Sequence, residues 1–303
     1  MLIEEMQKED TIVYKAQQED EGIDLKGFLR KRLGVSSRLL SKLKRDKSIF
    51  INNSFAKYHQ ILMEGDLISL IMQEDANDFQ AQDLPFDTVY EDVDIIIVDK
   101  EAGMVTHPTR GHPVGTVANA AQHYLMKSGK RCRIRFVNRL DMDTSGLLII
   151  AKNPYAHHSL SMQMQKNKVK KRYLAFVEGI VQQECGTINA PIYRPTGDSI
   201  KRTVNKKGRE SLSEFRVLER YGQATLIEVE LLTGRTHQIR VHMEHIGHPL
   251  IGDPLYGNPS DLLGRQALHA NYLSLYQPRY GKALEISIGL PRDLVELAKS
   301  LKL

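Results

Sequence analysis

The chain has 303 residues, 41% of them hydrophobic and 26% charged, enough to bury a substantial core and ordinary for a soluble globular protein. No apolar run has the length of a membrane span, and with only Cys132 and Cys185 there is neither a disulfide framework nor a thiolate cluster for zinc. The net charge of +5 is a mild basic bias, and its distribution says more than its size.

Met1-Leu2-Ile3-Glu4-Glu5-Met6 lacks the basic start and apolar stretch of a secretory signal, so a cytoplasmic protein is expected. Residues 1–11 read as a frayed tail or a short first strand. From Asp24 on, Leu25, Phe28, Leu29 and Leu33 make a helical stripe that Gly34 ends. Ser36 or Ser37 then caps a second helix carrying Leu39, Leu40 and Leu43. Lys26, Arg30, Arg38, Lys42 and Arg45 fall largely off these stripes. Between Lys26 and Lys47 stand nine Lys or Arg against one acid, Asp46. A strand at Ile49-Phe50-Ile51, an Asn52-Asn53 turn and a closing strand through Leu70 complete a small α/β module over residues 12–72. Tyr58 to Asp99 holds no Lys or Arg, and residues 73–87 read as an acidic linker. The alternative is a solvated helix face with a solvated linker, but the segregation of charge favours a nucleic-acid-binding surface.

Residues 88–303 read as a second domain. Its predicted elements are a strand at Ile95–Asp99, a loop from Lys100 to Pro113, and a helix from the cap Thr116 to about Lys127. Two strands follow, Arg133–Val137 and Leu147–Ala151, then a helix from Pro154 to about Lys166. Strands are expected at Tyr173–Val177, Ile188–Ile192, Leu212–Leu218 and Thr225–Leu232, with a mobile basic loop at 194–209 that carries Lys201 and Arg202. Thr233-Gly234-Arg235-Thr236 opens a helix ended by Gly247, with Ile239, Met243 and Ile246 on its apolar side and His237, Arg240 and Glu244 on another face. Ala267–Ala270 and Leu284–Ile288 are strand-like, and a last helix starts near Pro291. Strands outnumber helices and long crossover helices are few, so the fold class is α+β with a mainly antiparallel, mixed sheet.

No phosphate-cradling glycine loop is present, so use of a nucleotide cofactor is not expected. No Gly-x-Ser-x-Gly elbow surrounds Ser145. His237, His242, His245 and His248 cluster in sequence, yet their spacing does not reproduce a zinc-protease helix, and no metal site is assigned. The densest chemistry lies between two strands, in Arg139-Leu140-Asp141-Met142-Asp143-Thr144-Ser145-Gly146. This is either a turn whose Asp and Ser cap backbone amides or a chemically loaded loop on a rigid scaffold. A pocket carboxylate needs a counter-ion to stay ionised, and an arginine on a polar helix face could supply one.

Arg139-Leu140-Asp141 with Thr144-Ser145-Gly146 resembles the catalytic motif of the RluA family of pseudouridine synthases, particularly its RluD-like branch. Lys171 to Gly179 resembles the second motif and Leu232 to His242 the third. Further agreement comes at Asp99 to Pro108, His248-Pro249-Leu250, Gly252 to Gly257 and Ala267 to Ala270. Residues 12–72 resemble the alpha-L RNA-binding module found in a small-subunit ribosomal protein and several RNA-modifying enzymes. The resemblance implies isomerisation of uridine to pseudouridine in RNA, with large-subunit ribosomal RNA the expected target, a monomer, and no cofactor. It implies Asp141 as the essential carboxylate, Arg240 as its partner, Tyr173 stacked on the uracil, and Arg139 filling the gap left by a flipped nucleotide. Arg235, His237 and Gln238 would contact substrate, and Lys26, Arg30, Arg38, Lys42, Arg45, Lys201 and Arg202 the wider RNA. Asn138 and Glu101 depart from the family pattern. An RNA-binding protein with a decayed site and a metal-dependent RNA hydrolase are the competing readings.

Overall fold

The computed structural model describes residues 1–73, 79–130, 132–195 and 200–302. Near the N-terminus, β1 (Thr11–Lys15) is followed by a short helix, α1 (Leu25–Gly27), whose first turn is capped by Asp24 accepting from Gly27 N at 2.9 Å. The chain does not continue as one α-helix, as the stripe predicts, but as a π-helical turn over Phe28–Arg32 in which Leu33 N reaches back to the Phe28 carbonyl. Leu25, Phe28 and Leu29 all stay buried through it. Ser36 caps α2 (Ser37–Arg45) by accepting from Leu39 N. Strands β2 (Ile49–Ile51), β3 (Ser54–Phe55) and β4 (Leu67–Ile71) join β1 in an antiparallel sheet of order β1-β4-β2-β3. Asn52 and Asn53 both take positive φ, as the tight β2–β3 hairpin requires.

The acidic linker is only partly what its composition suggests. Residues 74–78 lie outside the described residues. Beyond them the Gln80 carbonyl accepts from Asn119 Nδ2 at 2.7 Å, Gln82 Oε1 accepts from Gly115 N at 2.7 Å, and Phe79 and Phe86 pack on the larger core. Strand β5 (Asp87–Glu91) then starts at the last residue of the expected linker. Two phenylalanines among the acids are enough to dock the segment, because their burial outweighs the solvation of neighbours that can stay at the surface.

The remaining elements are β6 (Ile95–Lys100), α3 (Val117–Lys127), β7 (Arg135–Phe136), β8 (Ser145–Ala151), α4 (Pro154–Gln165), β9 (Lys170–Glu178), β10 (Cys185–Asn189), β11 (Ile192–Tyr193), β12 (Thr203–Val204), β13 (Leu212–Arg220), β14 (Ala224–Leu231), α5 (Gln238–His245), β15 (Leu268–Tyr276), β16 (Ala283–Ser287) and α6 (Arg292–Ser300). The large sheet runs β10-β13-β14-β9-β15-β8-β6-β5, with β16 on β15 and β7 on β8. Its described pairs are antiparallel except β8 with β15, which run parallel where the two halves meet. Of the expected strand Arg133–Val137 only Arg135 and Phe136 pair as a strand. Asn138 continues the edge by side chain, its Oδ1 accepting from Ile149 N at 2.8 Å.

Period-two alternation sorts the central strands. Ile96, Val98, Leu148 and Ile150 face Val117, Ala121 and Leu125 of α3, in a core that also takes Ile239 and Met243 of α5. Ile95, Ile97, Leu147 and Ile149 face Ala156 and Leu160 of α4. On β9 the same alternation puts Tyr173, Ala175 and Val177 on the α3 and α5 side and Phe176 against Leu294 and Leu297 of α6. Helix α4 also reaches the N-terminal sheet and helices, where Tyr155 is part of their buried cluster. Buried Arg279 adds a second tie: it pairs with buried Asp94 at 2.8 Å and donates to Gln7 Oε1, Lys8 O and Thr11 O at 2.8–3.1 Å.

Candidate active site

The loop between β7 and β8 is braced from outside. Lys100, buried at the end of β6, donates to the carbonyls of Glu101, Met104 and Met142 at 2.7–2.8 Å. Burial pulls its ammonium down to about 7, while the charge of Asp143 works against that. Thr144 N closes the turn on the Asp141 carbonyl at 3.1 Å. Ser145, expected to cap this turn, is instead tied to β15, and its two predecessors are held by the residues before that strand. Thr144 Oγ1 accepts from Gln266 Nε2 at 3.2 Å, Ser145 Oγ pairs with His269 Nδ1 at 2.9 Å, and Arg265 Nη1 donates to the Asp143 carbonyl at 3.0 Å. Gly146 sits at φ +112° directly beside Ala270, so close that any Cβ would overlap the Ala270 carbonyl.

Across from this loop stands α5. It starts at Gln238, later than Thr233-Gly234-Arg235-Thr236 suggests, because His237 takes a left-handed conformation at φ 57° and turns the chain into the helix. His237 is therefore not on a helix face with Arg240 and Glu244, although it still reaches the same place. Arg240 is not on a polar face either: only 4% of it is exposed. Its guanidinium is held by Asp253, which is fully buried and accepts from Nε at 2.6 Å and Nη2 at 2.7 Å. The remaining Nη1 donates to Asp141 Oδ2 at 3.2 Å. Burial works against the charge of Arg240, but the two carboxylates more than offset it and its pKa is raised. Asp253 is held in turn by Leu255 N and Tyr256 N. His237 Nε2 lies 3.8 Å from Asp141 Oδ2, and burial lowers its pKa although the Asp141 charge opposes this.

Asp141, Tyr173, Arg240 and His237 line one cavity of about 250 Å3, closed by Leu231, Ile239 and Leu268. Tyr173 is 6% exposed, and burial, with the Asp141 charge adding, pushes its phenol well above the usual tyrosine range. Exposed Arg139 stands at the rim. Arg235 lines the cavity with its Nε donated to the Glu210 carbonyl at 3.0 Å. Gln238 also borders it, but its amide is engaged elsewhere: Oε1 accepts from Thr233 Oγ1 and Arg235 N, and Nε2 donates to Leu212 O and Ser213 Oγ. Its part is to shape the turn that presents Arg235 and His237.

Residues 196–199 of the expected mobile basic loop lie outside the described residues, and Lys201 and Arg202 just after them are anchored. Arg202 N donates to the Tyr256 hydroxyl at 2.7 Å, and Lys201 stacks over the Tyr256 ring while pairing with Glu244 at 3.1 Å. The same hydroxyl meets His237 Nδ1 at 2.9 Å, so Tyr256 joins that loop to the site. Lys26, Arg30, Arg38, Lys42 and Arg45 do not line the cavity. Of these, Arg45 pairs with Asp46, Lys42 donates to the Gln73 carbonyl, and Arg38 lies near enough to Arg135 to add to the burial that lowers it to about 10. The clustered histidines diverge. His242 gives its nitrogens to Ser213 Oγ and Ala190 O, His248 bonds the Glu178 carbonyl, and among the described residues no three His, Cys, Asp or Glu gather as metal ligands.

The site is thus a carboxylate held by a guanidinium beside a buried phenol, on the seam of a mixed sheet. Residues 94–245 fit the model of the family described as RNA pseudouridylate synthase. The chain belongs to that family. Among relatives of this pseudouridine synthase, the uncharacterized RNA pseudouridine synthase YlyB of Bacillus subtilis is 41% identical, the match covering 85% of this chain and 87% of that one. The ribosomal large subunit pseudouridine synthase D of Pseudomonas aeruginosa is 38% identical over 88% and 87% of the two chains. The structure of human RNA pseudouridylate synthase domain containing 1 superposes with a TM-score of 0.58 at 27% identity, covering 73% of this chain and 96% of that one. That of the human domain containing 4 protein, at 20% identity, shares the fold with a TM-score of 0.59.

Sequence reasoning assigned no role in the synthase to Asp253, Tyr256, Lys100, Arg265 or His269. Asp253 and Tyr256 fall within the Gly252 to Gly257 run, and His269 within Ala267 to Ala270, so the motifs contain these positions but give no sign of their partners. An acid between glycine and proline, with no basic neighbour in sequence, is the one signal that could have singled out Asp253.

Proposed function

We propose that the synthase converts specific uridines of large-subunit ribosomal RNA to pseudouridine, with Asp141 as the essential carboxylate and without a cofactor. The observation that carries this is Arg240, forked onto Asp253 through Nε and Nη2 and reaching Asp141 through Nη1 at the mouth of a base-sized cavity. A uridine stacked in RNA cannot present its glycosidic bond to a side chain, so the base must turn out of the stack, with Arg139 at the rim to occupy the gap. Asp141, held by the Arg240 guanidinium, acts on the ribose as a nucleophile or by removing a proton, and the bond from the sugar to ring nitrogen-1 breaks. The freed uracil turns within the cavity against Tyr173, and carbon-5 bonds to the ribose as Asp141 is displaced from it or gives its proton back; nitrogen-1 takes a proton and the carbon-5 proton leaves to water. A phenol pushed upward stays protonated at neutral pH, which suits Tyr173 to stacking and hydrogen-bond donation. The ribosomal target is supported by the name of the Pseudomonas aeruginosa relative. The same reading makes the enzyme monomeric and cytoplasmic, with a part in ribosome biogenesis, and the basic faces of α1 and α2 an RNA-binding surface.

The test is tritium release from ribosomal RNA labelled at uridine carbon-5 and taken from a strain lacking this protein. Wild type should release tritium, and Asp141→Asn should lower the rate at least about a thousandfold while leaving RNA affinity nearly unchanged. Absence of release by wild type would sink the proposal, and an Asp141→Asn variant as active as wild type would remove Asp141 from it.

A further inference from the structure

A second concavity, of about 560 Å3, lies between α4 and the turn joining α1 to α2. Its cations come from both sides: Arg30 from the N-terminal module, Lys166 and Lys168 from the turn between α4 and β9. All three are exposed, no acid lines the groove, and none of the three forms an ion pair with a described residue. The local sequence explains the absence of acids: no Asp or Glu occurs between Asp143 and Glu178. The walls are held in place, since Tyr155 lines the groove and is buried in the core of the module, while Arg279 and Asp94 tie the same two bodies together elsewhere.

The groove also adjoins the active site. Met164 and Lys171 line the catalytic cavity, and Met162, Lys166 and Lys168 line the groove, so the basic turn after α4 stands between the two. Lys170, exposed at the start of β9, adds a further cation to that turn. Both cavities therefore border the acid-free segment from Met162 to Lys171, and Arg30 of the module lines the groove with it. Unpaired cations converging from two bodies repel one another and favour an extended polyanion laid between them.

We propose that this groove seats the phosphate backbone of the RNA strand flanking the target uridine, with Arg30, Lys166 and Lys168 as its contacts; the inference rests on the isomerase reading above. The groove makes the module and the catalytic sheet read one RNA together, and residues 166–170 join the RNA surface that the helix cations alone suggested.

The test compares wild type, the Lys166→Glu/Lys168→Glu variant and a Lys299→Glu control on α6, in the tritium assay on the same ribosomal RNA at several salt concentrations. The double variant should raise KM about tenfold, keep kcat within about twofold and flatten the salt dependence of binding by about two in its logarithmic slope. The control should match wild type. Inactive wild type would overturn the isomerase reading itself. Active wild type with an unchanged KM and slope in the double variant, or with a lowered kcat at unchanged KM, would overturn the groove. A photocrosslinking residue at Ser159, which lines the groove, decides the matter if the charge reversal disturbs folding. RNA adducts there support the proposal, and their absence, or displacement of the crosslink by an acidic peptide but not by RNA, overturns it.

Discussion

At the scale of single residues, the site depends on how one guanidinium divides its donors. Arg240 offers a fork to Asp253 and a single N–H to Asp141. Were Asp253 absent, the fork would turn toward Asp141 and the geometry at the cavity mouth would be lost. Asp253→Asn replaces one acceptor by an N–H donor facing the guanidinium and leaves a buried charge half-paired. The expected outcome is a loss of about 3–5 kcal/mol in stability, read from denaturant unfolding. A fall in kcat of about a hundredfold from the displaced arginine should accompany it, with RNA affinity retained. If both quantities stay at wild-type values, Asp253 does not position Arg240. The sequence made Asp141 and Arg240 candidates through the motifs around them. It could not supply the pairing of Asp253 with Arg240, because that links α5 to a loop beyond it and depends on how the chain turns at His248–Ile251.

At the scale of elements, the parallel meeting of β8 and β15 is the joint on which the catalytic loop hangs. Ser145 and Gly146 lie opposite His269 and Ala270, and the loop carrying Asp141 leads directly into them. The strands themselves were legible, since Leu147 to Ala151 is an apolar run with no polar break. Their adjacency was not, because a parallel pair has no hairpin to announce it and its partners are far apart in the chain. Gly146→Ala tests the joint. A methyl group at φ +112° would overlap the Ala270 backbone, and backbone cannot yield as a flexible side chain does. A loss of about 3–5 kcal/mol is expected, with the catalytic loop displaced. A denaturant midpoint equal to wild type would show that the two strands separate at little cost. The late start of α5 belongs to this scale as well. Helical periodicity placed His237, Arg240 and Glu244 on one face, but a left-handed residue at 237 breaks that phase, and a non-glycine residue in this conformation leaves no periodic signature.

At the scale of the whole molecule, two bodies with separate cores are joined by buried polar contacts. Arg279 reaches from the end of the large sheet to the carbonyls beside β1, and Asp94 balances its charge. Arg279→Met keeps much of the volume but leaves Asp94 buried with only Asn153 and Gln277 as donors among the residues that bonded it. The expected cost is about 3 kcal/mol, and calorimetry should show the N-terminal module melting ahead of the large sheet. A single unchanged transition would mean that Tyr155 and its apolar surroundings suffice to hold the bodies together. The groove beside Tyr155 depends on the same joint, so loosening it should also weaken RNA binding.

What the sequence determined by itself was what neighbours in the chain can encode. The central strands, the capped helices α2 and α3, the start of α4 at Pro154, the hairpin at Asn52-Asn53 and the segregation of charge all follow from contacts within a few residues. The motif resemblance added the expected chemistry and the residues on which it turns. Tertiary structure alone decided which distant groups meet. It brought Asp253 to Arg240, set Lys100 beneath the catalytic loop, turned Tyr256 toward both His237 and Arg202, and laid Arg30 across from Lys166 and Lys168. Each of these partnerships joins residues separated by a turn or a whole element. The hydrophobic pattern selects the faces that are buried, but it is the closed packing of those faces that fixes the distances between the polar groups they carry.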